Sequence, residues 1–110
     1  MAADAQAVLR QSEKEFSAAV VEYARLCGWR VYRTWRSDHS PAGFPDLTMT
    51  RGGKLFFAEL KAERGRVSPE QQGWLEALRD VIPHTDYPHR WIRVFLWRPS
   101  DWPQIERELR

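Results

Sequence analysis

With 110 residues the chain has room for one domain with a modest core, and not for two. Its 43% hydrophobic and 29% charged residues place it among ordinary globular proteins, and a single cysteine, Cys27, excludes an internal disulfide or a cysteine-only zinc site. The 17 Lys and Arg against 15 Asp and Glu leave a net charge of only +2, which permits an anionic partner without announcing one.

The first 11 residues read as a frayed or disordered end, or as an extension of the helix that follows. They show no basic region leading into an apolar core, so no signal peptide is expected. No apolar run approaches the length of a membrane span. A single cytoplasmic domain over residues 1–110 is the expectation, with no membrane partner.

Ser12 followed by Glu15 forms a capping-box pattern. Phe16, Ala19, Val20, Tyr23, Ala24 and Cys27 recur at helical spacing before Gly28, which predicts a helix over about 13–27 with Cys27 as a small buried residue. Glu15 and Glu22 point away from the apolar side. Glu13 lies on it, three residues before Phe16 and seven before Val20. It is either an acid favoured by the helix dipole or a member of a site.

Residues 29–35, Trp-Arg-Val-Tyr-Arg-Thr-Trp, are rich in strand formers and predict a first strand. The Ser-, Pro- and Gly-containing stretch 36–43 is a loop. Arg33 just before it and Arg36 at its start are either surface charge or phosphate contacts. His39 in the loop is a weaker candidate.

Two β-prone runs, about 46–50 and 54–61, meet at Gly52-Gly53, the signal of a two-residue hairpin turn. Counting back from Arg51 opposite Lys54 places Leu47 opposite Ala58 and Asp46 opposite Glu59. Like charges so placed repel unless something binds them. Alternation puts Lys61 on the same face. Two carboxylates and an amine therefore meet at one end of a hairpin, as either a solvated charged edge or a cation site. Apolar residues on both faces of the second run predict a sheet covered on both sides.

The loop 62–66 carries Arg64 and Arg66. Ser68 and Pro69 start a second helix of about 69–79, on which Gln71 faces inward as either a cap or a site residue. Residues 80–90 hold two prolines with His84 and His89, for which metal ligation has no supporting pattern. The nearly continuous apolar run 91–97 predicts an internal strand. Asp101 is an N-cap candidate for a closing helix over about 102–109. Most of the 6 Trp are expected in the core.

Oxygen ligands from Asp46 and Glu59 suit a hard cation such as Mg²⁺, which combines few carboxylates with water and substrate phosphate. The carbonyl of Leu60 is a further candidate ligand. Glu13 could hold a second or outer metal, Lys61 could orient the attacking water, and Gln71 could steady Lys61. No organic cofactor is indicated.

Glu13 on its helix, Gly28-Trp29, Gly43-Phe44-Pro45-Asp46-Leu47, Phe57-Ala58-Glu59-Leu60-Lys61, Gly65, Gln71 and Trp97-Arg98-Pro99 together resemble the VRR-NUC domain family of the PD-(D/E)XK nuclease superfamily, in its stand-alone phage and bacterial type. The resemblance runs from about Ser12 to Leu109. It implies an α/β, restriction-endonuclease-like αβββαβ core, here a small mixed sheet flanked by helices with a short C-terminal helix. It also implies Mg²⁺- or Mn²⁺-dependent endonucleolytic hydrolysis of DNA, with structure-selective action on branched substrates such as Holliday junctions, and a homodimer. By the same resemblance Glu13, Asp46, Glu59, Lys61 and Gln71 are catalytic, and Asp46, Glu59, the Leu60 carbonyl and Glu13 meet metal. Arg33, Arg36, Arg64 and Arg66 are the expected nucleic-acid contacts. A catalytically silent nucleic-acid-binding module on the same fold is the alternative.

Overall fold

The computed structural model describes residues 2–35, 41–82 and 91–110. Arg36, His39, His84 and His89, with most of the 80–90 segment, lie outside the described residues. The elements run α1 (Ala2–Leu9), α2 (Glu13–Leu26), β1 (Arg30–Arg33), β2 (Leu47–Arg51), β3 (Lys54–Leu60), α3 (Pro69–Val81), β4 (Ile92–Trp97), a 3-10 turn (Pro99–Asp101) and α4 (Trp102–Leu109). Residues 2–9 thus form a helix of their own, and α2 begins afresh at its cap.

That cap is the one the sequence predicts. Ser12 Oγ accepts from Glu15 N, and Glu15 Oε1 accepts from Ser12 N. Two N–H groups that have no partner inside the helix are thereby satisfied. At the other end Gly28 N donates to Arg25 O and Trp29 N to Ala24 O, closing the helix with its last carbonyls bonded. α3 starts on a second capping box, Ser68 with Gln71, and carries Pro69 in its first turn.

The sheet order is β1-β2-β3-β4, with β1-β2 and β2-β3 antiparallel and β3-β4 parallel. Gly52 and Gly53 both take positive φ, 55° and 82°, so the hairpin turns on two residues. The register follows: Arg51 faces Lys54 and Leu47 faces Ala58. β4 corrects one expectation. It is an edge strand of the described sheet, not an internal one. Its nearly continuous apolar run reflects cover on both faces, which does not require a strand on both sides.

One face of the sheet carries Leu47, Met49, Phe56, Ala58 and Leu60, all buried in a single core with Phe16 and Val20 of α2 and Ile105 and Leu109 of α4. Cys27 is half-buried against this core, less enclosed than predicted. The opposite face is reached by α3. Trp74 packs edge-on against Phe44, and Phe44 against Phe57 of β3. Among the described residues no helix is long and apolar enough to cross a membrane.

Arg51 ties the hairpin end together. Its guanidinium donates to Cys27 O at 2.8 Å, Leu109 O at 2.7 Å and Arg110 O at 3.1 Å, and lies over the Trp29 ring. Trp29 Nε1 donates to the same Leu109 carbonyl. The end of α2, the hairpin and the end of α4 thus share one cation.

Candidate active site

At the other end of the sheet three charged side chains are buried together. Glu59 is 1% exposed, and Asp46 and Lys61 are each 8% exposed. Burying charge is costly unless opposite charge or hydrogen bonds compensate it, so such a cluster calls for a purpose. Lys61 Nζ lies 3.6 Å from Glu59 Oε2 and 3.7 Å from Glu13 Oε1. The amine therefore joins β3 to the first turn of α2.

Asp46 stands differently from the expectation. The β2-β3 ladder ends at Leu47 opposite Ala58, so Asp46 is not a ladder partner of Glu59. It has left the strand, and its Oδ2 accepts from Leu60 N at 2.8 Å, in the place a further strand residue would fill. The residue after Leu60 bonds the other way, with Lys61 N donating to Trp97 O of β4. In a strand the N–H and C=O of one residue project to the same side. The Leu60 carbonyl therefore lies on the Asp46 side of β3. The Asp46 carboxylate is thereby fastened to the peptide that joins Glu59 to Leu60.

The approach to Asp46 is held by its neighbours. Thr34, just past β1, donates from its N–H to Asp46 O at 2.9 Å and from its hydroxyl to Pro45 O. Gly43 sits against the start of α3 with φ 96°, and a Cβ there would fall 2.6 Å from the Glu70 carbonyl carbon. No residue but glycine fits that approach. A cleft of about 250 Å³ opens beside the cluster, lined by Glu13, Lys14, Ser17, Arg33, Thr34 and Asp46. Arg33 Nη2 donates to Ser17 Oγ at 3.1 Å on its wall.

Sequence reasoning missed Thr34, Ser17 and Lys14. Ser17 carries a usable signal, since it follows Glu13 by four residues and shares its helix face. Thr34 carries none, because only the fold brings it to residues 45 and 46. Gln71 sits with its Oε1 on Ser68 N, so it acts as the cap that the sequence allowed as one option. Arg64 and Arg66 are exposed on the loop after Lys61.

That loop is fixed by a residue the sequence motif contains but does not explain. Arg98 Nη1 donates to the carbonyls of Ala62 (2.9 Å), Glu63 (3.2 Å) and Gly65 (2.7 Å). Ser100 N donates to Glu63 Oε1. Asp101 does not cap α4 with its side chain. Its carboxylate turns back to accept from Arg98 N at 2.8 Å.

Among the described residues no three His, Cys, Asp or Glu side chains converge closely enough to hold a metal by themselves. Two carboxylates with a backbone carbonyl remain a donor set of hard oxygens. That set fits a cation which takes the rest of its shell from water and phosphate, as Mg²⁺ does.

Comparison with protein-family models matches residues 4–94 to the VRR-NUC domain. Neither the curated proteins nor the solved structures yield a match.

Proposed function

From the chain's membership of the VRR-NUC domain family, a nuclease-type family, we propose that it is a metal-dependent DNA endonuclease that hydrolyses phosphodiester bonds, selective for branched DNA such as four-way junctions. The observation that carries this reading is the buried Glu59–Lys61 pair at the end of the central hairpin, with Asp46 fastened to the peptide between them.

Asp46, Glu59 and the Leu60 carbonyl would hold Mg²⁺ or Mn²⁺. Such an ion, when bound, polarises the phosphate and lowers the charge barrier to attack. The protein's own groups do the rest. Lys61 is held between two carboxylates and presents its ammonium where a phosphate oxygen or the attacking water would lie, orienting the one and balancing the charge of the other. Glu13 fixes the amine from the α2 side and faces the cleft, where it can hold water or an outer cation. Thr34 keeps the Asp46 segment in register with β1. Arg33 on the cleft wall, and Arg64 and Arg66 beyond Lys61, supply positive charge for the flanking phosphates. Gln71 acts on the site through the start of α3. Among the described residues one chain has one such cluster, so symmetric cutting of both strands takes a homodimer.

The test is cleavage of labelled four-way junction, flap, single-stranded and linear duplex DNA with Mg²⁺, with Mn²⁺ or with EDTA. The expected result is metal-dependent cutting that favours the branched substrates. Binding without cutting under every metal would make the chain a silent binding module instead.

A further inference from the structure

The face of the sheet that bears Glu59 is only partly covered. α3 reaches it over Phe57 through Phe44 and Trp74. The β1–β2 half of that face carries Arg30, Tyr32, Thr48 and Thr50, with Tyr32 opposite Thr48 and Arg30 opposite Thr50. Opposed residues project to one side, and Thr48 in turn pairs with Phe57, two residues from Glu59. Arg30, Tyr32 and Thr50 are exposed, and Tyr32 keeps 63% of its surface. A tyrosine ring is a large apolar surface, and most such rings bury part of it against neighbours. This one stands in the open, beside the cation of Arg30 and the hydroxyls of Thr48 and Thr50.

The patch leads into the site. Thr48 follows Leu47, where the β2 ladder begins, and lies two residues from Asp46, about 7 Å along an extended chain. A nucleic-acid strand whose phosphate lies at Asp46 and Lys61 can therefore place a neighbouring nucleotide over Tyr32.

We propose that this open half-face is a stacking platform for single-stranded nucleic acid. Tyr32 receives an unpaired base flanking the phosphate at the site, and Arg30 with the Thr48 and Thr50 hydroxyls holds the backbone beside it. The proposal rests on the nuclease reading for where the strand runs. Aromatic faces stack any base, and cations and hydroxyls suit phosphate oxygens. A base must leave its own stack to reach the ring, so the platform selects unpaired strands, as found at branches and ends, over continuous duplex. A second copy of the chain is the rival occupant. Tyr and Arg are enriched at protein interfaces too, so assembly size is what tells the two occupants apart.

The experiment is fluorescence anisotropy in EDTA with the wild-type protein, Tyr32→Ala, Tyr32→Phe and Thr50→Glu. The probes are one labelled single strand and the fully paired duplex of the same sequence. The wild type is expected to prefer the single strand. Tyr32→Ala should weaken that binding roughly tenfold, Tyr32→Phe should leave it near the wild-type value, and duplex binding should change little. Thr50→Glu, which sets a carboxylate on the platform, should weaken single-strand binding as well, and it carries the test if Tyr32→Ala fails to fold by thermal melting. Equal affinity of wild type, Tyr32→Ala and Thr50→Glu overturns the proposal. So does a Tyr32→Ala protein that light scattering shows to be a smaller assembly with unchanged affinity per chain, since the surface would then belong to a second copy. A wild type that binds the strand but never cuts DNA overturns the nuclease reading and leaves the platform standing. One that binds no oligonucleotide overturns the platform.

Discussion

The two ends of the sheet both enclose charge, and they treat it in opposite ways. At the hairpin end Arg51 makes hydrogen bonds of 2.7–3.1 Å to three carbonyls, one at the end of α2 and two at the C-terminus, and lies on an indole ring. At the other end Lys61 stands 3.6 and 3.7 Å from two carboxylates, beyond hydrogen-bond length, with a cleft alongside. The first arrangement is closed and joins segments together. The second holds its charged groups within electrostatic reach of one another, with an open cleft beside them. Buried charge alone does not distinguish a strut from a reactive centre. Spacing and access do.

The largest effects test the open end. Asp46→Asn, Glu59→Gln and Lys61→Ala should each lower junction cleavage by about a hundredfold or more, with far-UV circular dichroism unchanged. A Lys61→Ala protein that cuts at the wild-type rate would remove the distinction between the two ends. Arg51→Ala should do the reverse. Three carbonyls lose a charged donor, and urea unfolding should show a loss of about 3 kcal/mol, while the cleavage rate per folded molecule stays the same.

Gly43→Ala lies between these cases, because it presses on the α3 start and on the segment leading to Asp46. A strained backbone costs about 1–3 kcal/mol, and both the melting temperature and the cleavage rate should fall. The smallest effect is at the α2 cap. The backbone and side chain of Ser12 hold the Glu15 carboxyl below its ordinary value. A depressed folded value means that the contribution is present above the unfolded carboxylate pKa and is lost as pH falls through the folded one. Ser12→Ala should cost about 1 kcal/mol, and its deficit in melting temperature should shrink in acid.

Much of this arrangement was legible before any coordinates. Two glycines fixed the hairpin register, and alternation then put Glu59 and Lys61 on one side of it. Asp46 was found by the same counting, but its contact was not. A residue that leaves a ladder can turn its side chain into the plane of the sheet, and pair counting assumes that it stays in line. The edge position of β4 was hidden because apolar runs report cover on faces and say nothing of lateral neighbours. Asp101 looked like a cap for α4 because a side chain's local partners are ambiguous where a tight turn precedes a helix. The exposed ring of Tyr32 escaped notice for a related reason. Strand alternation cannot say how far a helix extends over the sheet.

The anchoring of the Lys61 loop by Arg98 has a consequence in time. Translation delivers Glu59 and Lys61 well before β4 and the three-carbonyl grip that follows it. A nascent chain halted in between holds both charged side chains but lacks the clasp on the loop that follows them, so that loop is fixed only once the closing strand has been made.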